Sequence, residues 1–136
     1  MKAPSIRSIN VATNGAAELL DITDDVEKAV MASGVRHGVC LIFVPHTTAG
    51  ITLNEHADPS VRDDLLMELN KRIPPADGYR HSEGNSAAHI KASLMGSAVT
   101  VLIENNHLAL GTWQGIFFCE FDGPRQRTVW VKVIDG

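Results

Sequence analysis

The sequence of 136 residues has few of the features that mark several large classes of protein. Its two cysteines, Cys40 and Cys119, are too few for a disulfide-stabilised secreted domain. Both lie in apolar runs, which predicts small buried hydrophobic residues in a reducing compartment. No apolar stretch approaches the ~18 residues of a membrane span, and the N-terminus lacks the apolar core of a signal peptide. We therefore predict a cytoplasmic protein with no membrane partner.

Positive charge is also scarce. Lys and Arg number 12 against 16 Asp and Glu, a net charge of -4, whereas a nucleic-acid-binding face is usually basic. The chain contains no P-loop, dinucleotide fingerprint, serine-hydrolase elbow, or zinc motif of the HExxH or paired CxxC kind. We therefore expect no nucleic-acid partner, and nothing favours a nucleotide kinase or a serine hydrolase.

Apolar segments separated by turn residues predict the secondary structure. The continuous apolar run 38–45 is the best candidate for a central buried strand, and Asn14-Gly15 is a strong hairpin signal between two strands. The predicted elements are strands at 5–13 and 17–22, a helix from Thr23 to Gly34, strands at 38–45 and 51–54, a helix from Asp58 to Pro74, a helix at 87–95, and strands at 97–104, 108–121 and 125–134.

This element order predicts an α+β fold. Helices lie between strands in the middle of the chain, and the chain finishes in antiparallel hairpins, the last one turning at 122–124. We expect one domain over 1–136, with about three helices and a largely antiparallel, β-sandwich-like sheet. Arg125 and Arg127 alternate along the last strand and are expected to form a surface pair.

The stretch 45–59, PHTTAGITLNEHADP, concentrates polar side chains at the end of the predicted central strand. Such side chains at the end of a buried strand are typical of a functional site, although Thr and Asn are also ordinary turn and capping residues. Candidates for proton transfer are His46, Glu55 and Asp58, and candidates for ligand binding are Thr47, Thr48 and Asn54.

A second polar stretch crosses the start of the third predicted helix. Free backbone N–H groups there, with Arg80 nearby, would bind an anion. His81 and His89 could both face that helix start, and both are further candidates for a catalytic, proton-transferring role. Gly84 and Asn85 form the turn into the helix and are counted with the binding residues. The alternative is that His89 packs inside the helix and His81 is a solvated loop residue.

A third polar stretch, 110–115, interrupts a strand with two glycines. Gln114 could hydrogen-bond a heterocycle and Trp113 could supply an apolar wall; the alternative is a structural bulge with Trp113 in the core. No cofactor is specified by a motif. A divalent metal ion is the only candidate, with His46, His81 and His89 as its ligands.

Four long segments occur together in the order of a known family: GVCLIFVPHTT at 38–48, HTTAGITLNEHADP at 46–59, YRHSEGNSAAHIKASLMG at 79–96, and LALGTWQGIFFCEFDGPRQR at 108–127. The chain resembles the YjbQ-type family of small proteins, also named secondary thiamine-phosphate synthases. The resemblance covers most of 38–134. It implies a compact α+β fold with an antiparallel sandwich-like sheet, a homotrimer, and a pocket that uses His46, Asn54, Glu55, Asp58, His81, His89 and Gln114.

The resemblance also implies weak thiamine-phosphate synthase activity, which joins a pyrimidine-methyl diphosphate to a thiazole phosphate with loss of diphosphate. The charge of that leaving group must be neutralised, and a helix start, Arg80 and a protonated His could do so. Anion affinity should then fall as the pH rises through the histidine range. Two other functions stay open: a non-catalytic module that binds a small phosphorylated or heterocyclic molecule or a metal, and a metal-assisted hydrolase.

Overall fold

The structure, a computed structural model, describes residues 6–136. These residues form three helices and eight strands, and the predicted α+β fold is confirmed. The predicted first strand began at Ser5, which lies outside the described residues. The elements are β1 (Arg7–Ala12), β2 (Glu18–Asp21), α1 (Thr23–Ser33), β3 (Gly38–Phe43), β4 (Ala49–Glu55), α2 (Pro59–Arg72), α3 (Ser86–Met95), β5 (Ala98–Glu104), β6 (His107–Leu108), β7 (Gln114–Glu120) and β8 (Gln126–Asp135).

The strands form two antiparallel sheets that share one core. The larger sheet has the order β1-β8-β3-β5-β6, so the apolar run predicted to be central is the middle strand; the smaller sheet has the order β2-β7-β4. One buried cluster joins Cys40 and Ile42 of β3 to Ile51 of β4 and Phe118 of β7. Burial raises the pKa of the Cys40 thiol to about 11 and that of the Cys119 thiol to about 12, and both cysteines are free. Both are buried hydrophobic residues, as predicted.

Helices α2 and α3 cover the outer face of the smaller sheet. Leucines of α2 and Ala88 and Ala92 of α3 pack against Phe117 and Cys119 of β7. Gly50 of β4 lets α3 come close, because a Cβ there would lie 2.8 Å from the carbonyl oxygen of Gly96. Within residues 6–136, no helix is both long enough and apolar enough to cross a membrane.

Two predicted hairpins are wrong, because their strands belong to different sheets. β1 pairs with β8 and β2 pairs with β7, so Asn14-Gly15 turns the chain from the larger sheet to the smaller one. The Glu18 carboxylate accepts the N–H groups of Asn14 and Gly15, and Gly15 lacks the positive φ of a tight hairpin turn. The turn at 122–124 likewise carries the chain from β7 of one sheet to β8 of the other.

The predicted strand at 108–121 is two strands, β6 and β7, separated by a turn. In that turn, the side-chain oxygen of Gln114 accepts the N–H of Gly111 at 2.8 Å. Trp113 is 63% exposed, so the alternative that placed it in the core is wrong.

The predicted surface pair of arginines is also wrong, because Arg127 is buried. Arg127 of β8 and Glu120 of β7 point into the sandwich from opposite sheets, with exposures of 4% and 0%. The Arg127 Nε donates to the Glu120 carboxylate at 2.9 Å, and Nη2 donates to its other oxygen. Thr13 donates to Glu120 at 2.8 Å, and Thr48 accepts from Arg127 at 2.8 Å. An ion pair supported by additional hydrogen bonds from Thr13 and to Thr48 therefore joins the two sheets.

We predict that the Glu120–Arg127 pair is strongly coupled. Glu120→Gln or Arg127→Met alone should lower the free energy of unfolding by about 3–5 kcal/mol, because each leaves an unpaired buried polar group or charge. The double variant should be more stable, by at least ~1 kcal/mol, than the sum of the two losses predicts. Urea denaturation measures all three proteins. The control is Glu68→Gln, which breaks the exposed Glu68–Arg72 pair and should cost roughly 0.5 kcal/mol or less.

The pair should also contribute a defined pH dependence. Burial alone raises the pKa of Glu120, but hydrogen bonds from Arg127, the Asp122 N–H and Thr13 together hold it below its usual 4.5. Stability gained from a lowered carboxyl pKa is complete above the unfolded value and is lost as the pH falls through the folded value.

The mutational result would contradict this description of the core in either of two cases. The losses in unfolding free energy of the two single variants could simply add in the double variant, or each could be no larger than the loss for the exposed Glu68–Arg72 pair.

Candidate functional site

Two adjoining pockets lie beside α3 and share His89. The first, here called the α3 pocket, has a volume of about 390 Å³ and the second, the His46 pocket, about 500 Å³. Together they are the histidine cleft. The α3 pocket is lined by Tyr79, Arg80, His81, Ser86, His89 and Ile90. The His46 pocket is lined by His46, Thr47, Ala49, His89, Ala92, Ser93, Gly96 and Ser97.

The turn before α3 brings His81 and His89 together. Gly84 has a φ of 75°, which glycine adopts without strain, and its N–H donates to the carbonyl oxygen of His81. The two imidazole rings meet edge to face, with centroids 5.3 Å apart. Asn85 anchors the helix start, because its side-chain amide donates to Asp122 at 2.9 Å. Gly84 and Asn85 therefore shape the cleft, and neither lines it.

The α3 pocket is suited to an anion. The Asn85 side chain does not cap the start of α3, and the N–H of Ser86, a residue that lines the pocket, has no hydrogen-bond partner among residues 6–136. Arg80 makes no ion pair with any described residue, and the only acid near His81 is Glu83, at 4.0 Å. The remaining histidines differ from those of the cleft, because each hydrogen-bonds a carboxylate elsewhere: His37 with Glu104, His56 with Asp21 and His107 with Glu27.

His46 enters its pocket from the loop after β3 and is held by the backbone of β8. Its Nε2 lies 2.9 Å from the N of Thr128 and 3.1 Å from the O of the same residue. Burial, and then the charge of Arg127, lower the pKa of His46 from its usual 6.5. A lowered pKa means that the positive charge is lost at a lower pH. Both effects disfavour the positively charged form of His46, so its charge contributes less to the predicted pH dependence of anion binding.

The two threonines beside His46 face in different directions. Thr47 is exposed and lines the His46 pocket. Thr48 is 5% exposed, and its hydroxyl and carbonyl oxygens accept hydrogen bonds from Arg127. Thr48 was predicted to bind substrate, but its side chain is already committed to the buried ion pair.

The other predicted residues of this stretch lie at the opposite end of β4. Ala49 stands opposite Glu120, whereas Glu55 stands opposite Gln114, and six residues of strand span roughly 20 Å. Each polar group there has a local partner: Asn54 accepts from the N–H of Glu55, Glu55 from that of Ala57, and Asp58 from that of Ser60. The resemblance implies a single pocket in which Asn54, Glu55, Asp58 and Gln114 join the histidines, and one chain does not form it. Trp113 lies at the same far end of β4 as Gln114.

A metal site built from His46, His81 and His89 is not formed within one chain. Among residues 6–136, no three His, Cys, Asp or Glu side chains lie close enough together to hold a metal ion. Asp58, which was predicted to be catalytic, acts as the N-cap of α2, and hydrogen bonds from the Ser60 side chain and N–H lower its pKa. Within the described part of one chain, no cluster of ligands therefore supports the metal-assisted hydrolase.

Several cleft residues were not predicted from the sequence. Ser86 and Ser93 lie three residues before and four after His89, so helical spacing alone places them on its face. Ile90 and Tyr79 give the α3 pocket an apolar wall, and the Tyr79 hydroxyl donates to the carbonyl oxygen of Pro74. The helical period starting from His89 was the signal that could have found the two serines.

Comparison with known proteins agrees with the fold. The family model of the "UPF0047 protein YjbQ-like" family matches residues 7–136. A UPF0047 protein of Methanocaldococcus jannaschii is 52% identical over 124 residues, which are 91% of this chain and 90% of the relative. The UPF0047 protein YugU of Bacillus subtilis is 47% identical over 130 residues, 95% of this chain and 98% of the relative.

Solved structures give the same result. The crystal structure of a yjbq/upf0047 family protein from Clostridium acetobutylicum is 55% identical, covers 94% of this chain and 99% of its own, and has a TM-score of 0.93. A YbjQ-like protein from Sulfolobus solfataricus is 36% identical, covers 98% of this chain and 99% of its own, and also has a TM-score of 0.93. The chain therefore belongs to the YjbQ-like UPF0047 family.

Proposed function

We propose that the protein is an enzyme acting on small phosphorylated molecules, with a weak thiamine-phosphate synthase activity, and that the histidine cleft binds its anionic groups. The observation that carries this proposal is the meeting of Arg80, His81, His89 and the uncapped start of α3 in one pocket. These groups are suited to an oxyanion, because they offer N–H donors and positive charge at one place.

The division of the cleft supports a reaction between two substrates. Each pocket falls within the range of about 300–1,000 Å³ that is typical of small-molecule sites. The α3 pocket combines the charge of Arg80 with the apolar side chains of Tyr79 and Ile90, whereas Thr47 and Ser93 make the His46 pocket more polar. His89 stands between the two pockets, where a bond between two ligands would form.

The proposed reaction mainly requires electrostatic stabilisation of the leaving group by the protein. The ring nitrogen of the thiazole attacks the methylene carbon of the pyrimidine, the carbon–oxygen bond to diphosphate breaks, and its electron pair leaves with the diphosphate. The nitrogen becomes a quaternary cation, so no proton is removed and no general base is needed. The α3 pocket would stabilise the leaving diphosphate electrostatically. A reaction without a general base is compatible with the position of Glu55 and Asp58 far from the cleft.

We predict that Arg80→Gln weakens diphosphate binding roughly tenfold or more, because one charge-assisted hydrogen bond is worth about 1.5–3 kcal/mol. Calorimetric titration of diphosphate measures the affinity, and a coupled assay of thiamine phosphate measures turnover. Arg36→Gln is the matched control. Arg36 is also exposed, but it lies just before β3, at the opposite end of that strand from His46 and the cleft. The control should bind and turn over as the wild type does.

Each outcome decides between the functions. Weak synthase activity that falls with diphosphate affinity in Arg80→Gln supports the enzyme. Tight diphosphate binding without any turnover favours the non-catalytic binding module, which would use the same cleft. Equal affinities of the wild type, Arg80→Gln and Arg36→Gln, or no diphosphate binding by the wild type, would overturn the proposal.

We also propose that the protein is a homotrimer, and its cytoplasmic location stays a prediction. The resemblance to the family suggests the trimer, and the outer face of the larger sheet supports self-association. Phe43 and Trp130 stack there with ring centroids 5.9 Å apart, and Leu102 and Ile134 flank Val39 on the same face, four residues before Phe43 along β3. The four side chains other than Val39 are 38% to 62% exposed, and neither α2 nor α3 lies on this sheet. Several exposed, large apolar side chains on one face of a sheet are typical of interfaces.

The trimer predicts a mass three times the 14.7 kDa of one chain in light scattering after gel filtration. Leu102→Lys should dissociate it, because the charge would be buried against a second copy. Met31→Lys is the control, since Met31 is also exposed but lies on α1. A wild-type monomer at micromolar concentration, or equal masses for both variants, would reject this assembly.

A further inference from the structure

His46 completes the hydrogen bonding of β8 at the point where β3 ends. β3 and β8 pair with Phe43 opposite Trp130, so the same register would place Pro45 opposite Thr128. Proline has no N–H to donate, so a regular ladder cannot continue there. The imidazole of the next residue occupies the position instead, with Nε2 within hydrogen-bond distance of both the N and the O of Thr128.

One ring nitrogen cannot serve both groups of Thr128 in the neutral state. If Nε2 accepts, it satisfies the Thr128 N–H at 2.9 Å; if it carries a proton, it donates to the Thr128 carbonyl at 3.1 Å and leaves that N–H without a partner. Thr128 is half-buried, and away from water N–H groups without partners are rarer in proteins than under-satisfied carbonyl groups. The shorter distance and this rule both favour Nε2 as the acceptor.

We infer that the Thr128 backbone holds His46 as a neutral imidazole with its proton on Nδ1, so that Nδ1–H is a fixed hydrogen-bond donor for an oxygen atom of a ligand in the His46 pocket. Nδ1 has no hydrogen-bond partner among residues 6–136, and the ring lines the pocket. This inference deepens the proposed function and, for its ligand, rests on it.

The charged groups around the ring agree with a neutral His46. The guanidinium groups of Arg127 and Arg125 oppose a second proton on the ring, whereas the hydrogen bond to the Thr128 carbonyl and the carboxylate of Glu120 favour one. Burial and the charge of Arg127 prevail, so the pKa of His46 is lowered. Arg127 acts as a positioning residue, because its hydrogen bonds hold Thr48 in the loop that carries His46.

The inference gives His46 and Arg80 different tasks. Arg80 would attract an anion by charge, whereas His46 would orient one of its oxygen atoms through a single directed N–H. A donor that carries no net charge is selective for geometry, because it does not bind a misplaced anion through long-range attraction.

The test has one arm that needs no ligand. Nitrogen-15 NMR of the wild-type protein at neutral pH reports each ring nitrogen separately. The expected result is the shift of an unprotonated nitrogen for Nε2 and that of a protonated nitrogen for Nδ1 of His46. The reverse pattern, or a doubly protonated ring at neutral pH, would overturn the inference.

The second arm uses inorganic sulfate, whose charge does not change near neutral pH. His46→Asn places an amide N–H near the position of Nδ1, whereas His46→Gln reaches instead toward the position of Nε2. We expect His46→Asn to stay within about threefold of the wild-type sulfate affinity and His46→Gln to lose roughly tenfold. Equal losses in both variants, with folding checked by circular dichroism, would overturn the donor role.

The two arms separate this inference from the proposed function. If the wild type shows the expected NMR pattern but binds no sulfate or diphosphate, the anion-binding function fails and the assignment of the His46 proton stands. If sulfate binds and Nε2 carries the proton, the cleft stands and the inference about His46 fails.

Discussion

The buried ion pair between Glu120 and Arg127 is the interaction on which the cleft depends. It joins the two sheets at one end of the sandwich, and each partner extends toward one side of the cleft. Arg127 holds Thr48 in the loop that carries His46. Glu120 accepts the N–H of Asp122, whose carboxylate accepts the Asn85 amide at the start of α3. The loop of His46 and the helix of His89 are therefore both anchored to one pair of charges.

This arrangement explains why a small protein tolerates charge in its core. Removing two charges from water is costly, and their attraction compensates only when geometry and additional hydrogen bonds are favourable. Here Thr13, Thr48 and the Asp122 N–H supply those bonds. An apolar pair could stabilise the core as well, but it would offer no hydrogen bonds to the chain on either side of the cleft.

Local sequence signals predicted most elements but not how they associate. The apolar run 38–45, the Asp58-Pro59 helix start and the αL glycine at Gly34 each depend on neighbouring residues, and each is found where expected. Asn14-Gly15 failed as a hairpin signal because the choice of sheet depends on Thr13 meeting Glu120 and Arg125, which lie more than a hundred residues away. Such contacts leave no local pattern in a single sequence.

The same division applies to the candidate site. His81 and His89 could be brought together by reasoning about one turn and one helix. The sequence did not show that Glu55 and Asp58 lie far from His46. The predicted strand between them was 51–54, whereas β4 extends over Ala49–Glu55. Arg127 was misread as exposed because alternation shows that residues share a face without showing which face is buried. The glutamate inside the run IFFCEF was the available signal, since a charge in a buried strand requires a partner.

The central claim is that the histidine cleft binds an oxyanion, and a crystal soaked in selenate tests it most directly. Anomalous diffraction locates the selenium atom without assumptions about the ligand. A peak in the α3 pocket, within hydrogen-bond distance of Arg80, His81 or the first N–H groups of α3, is the predicted result. A peak at the far end of β4 near Glu55, or an empty cleft at full soaking, would contradict the account.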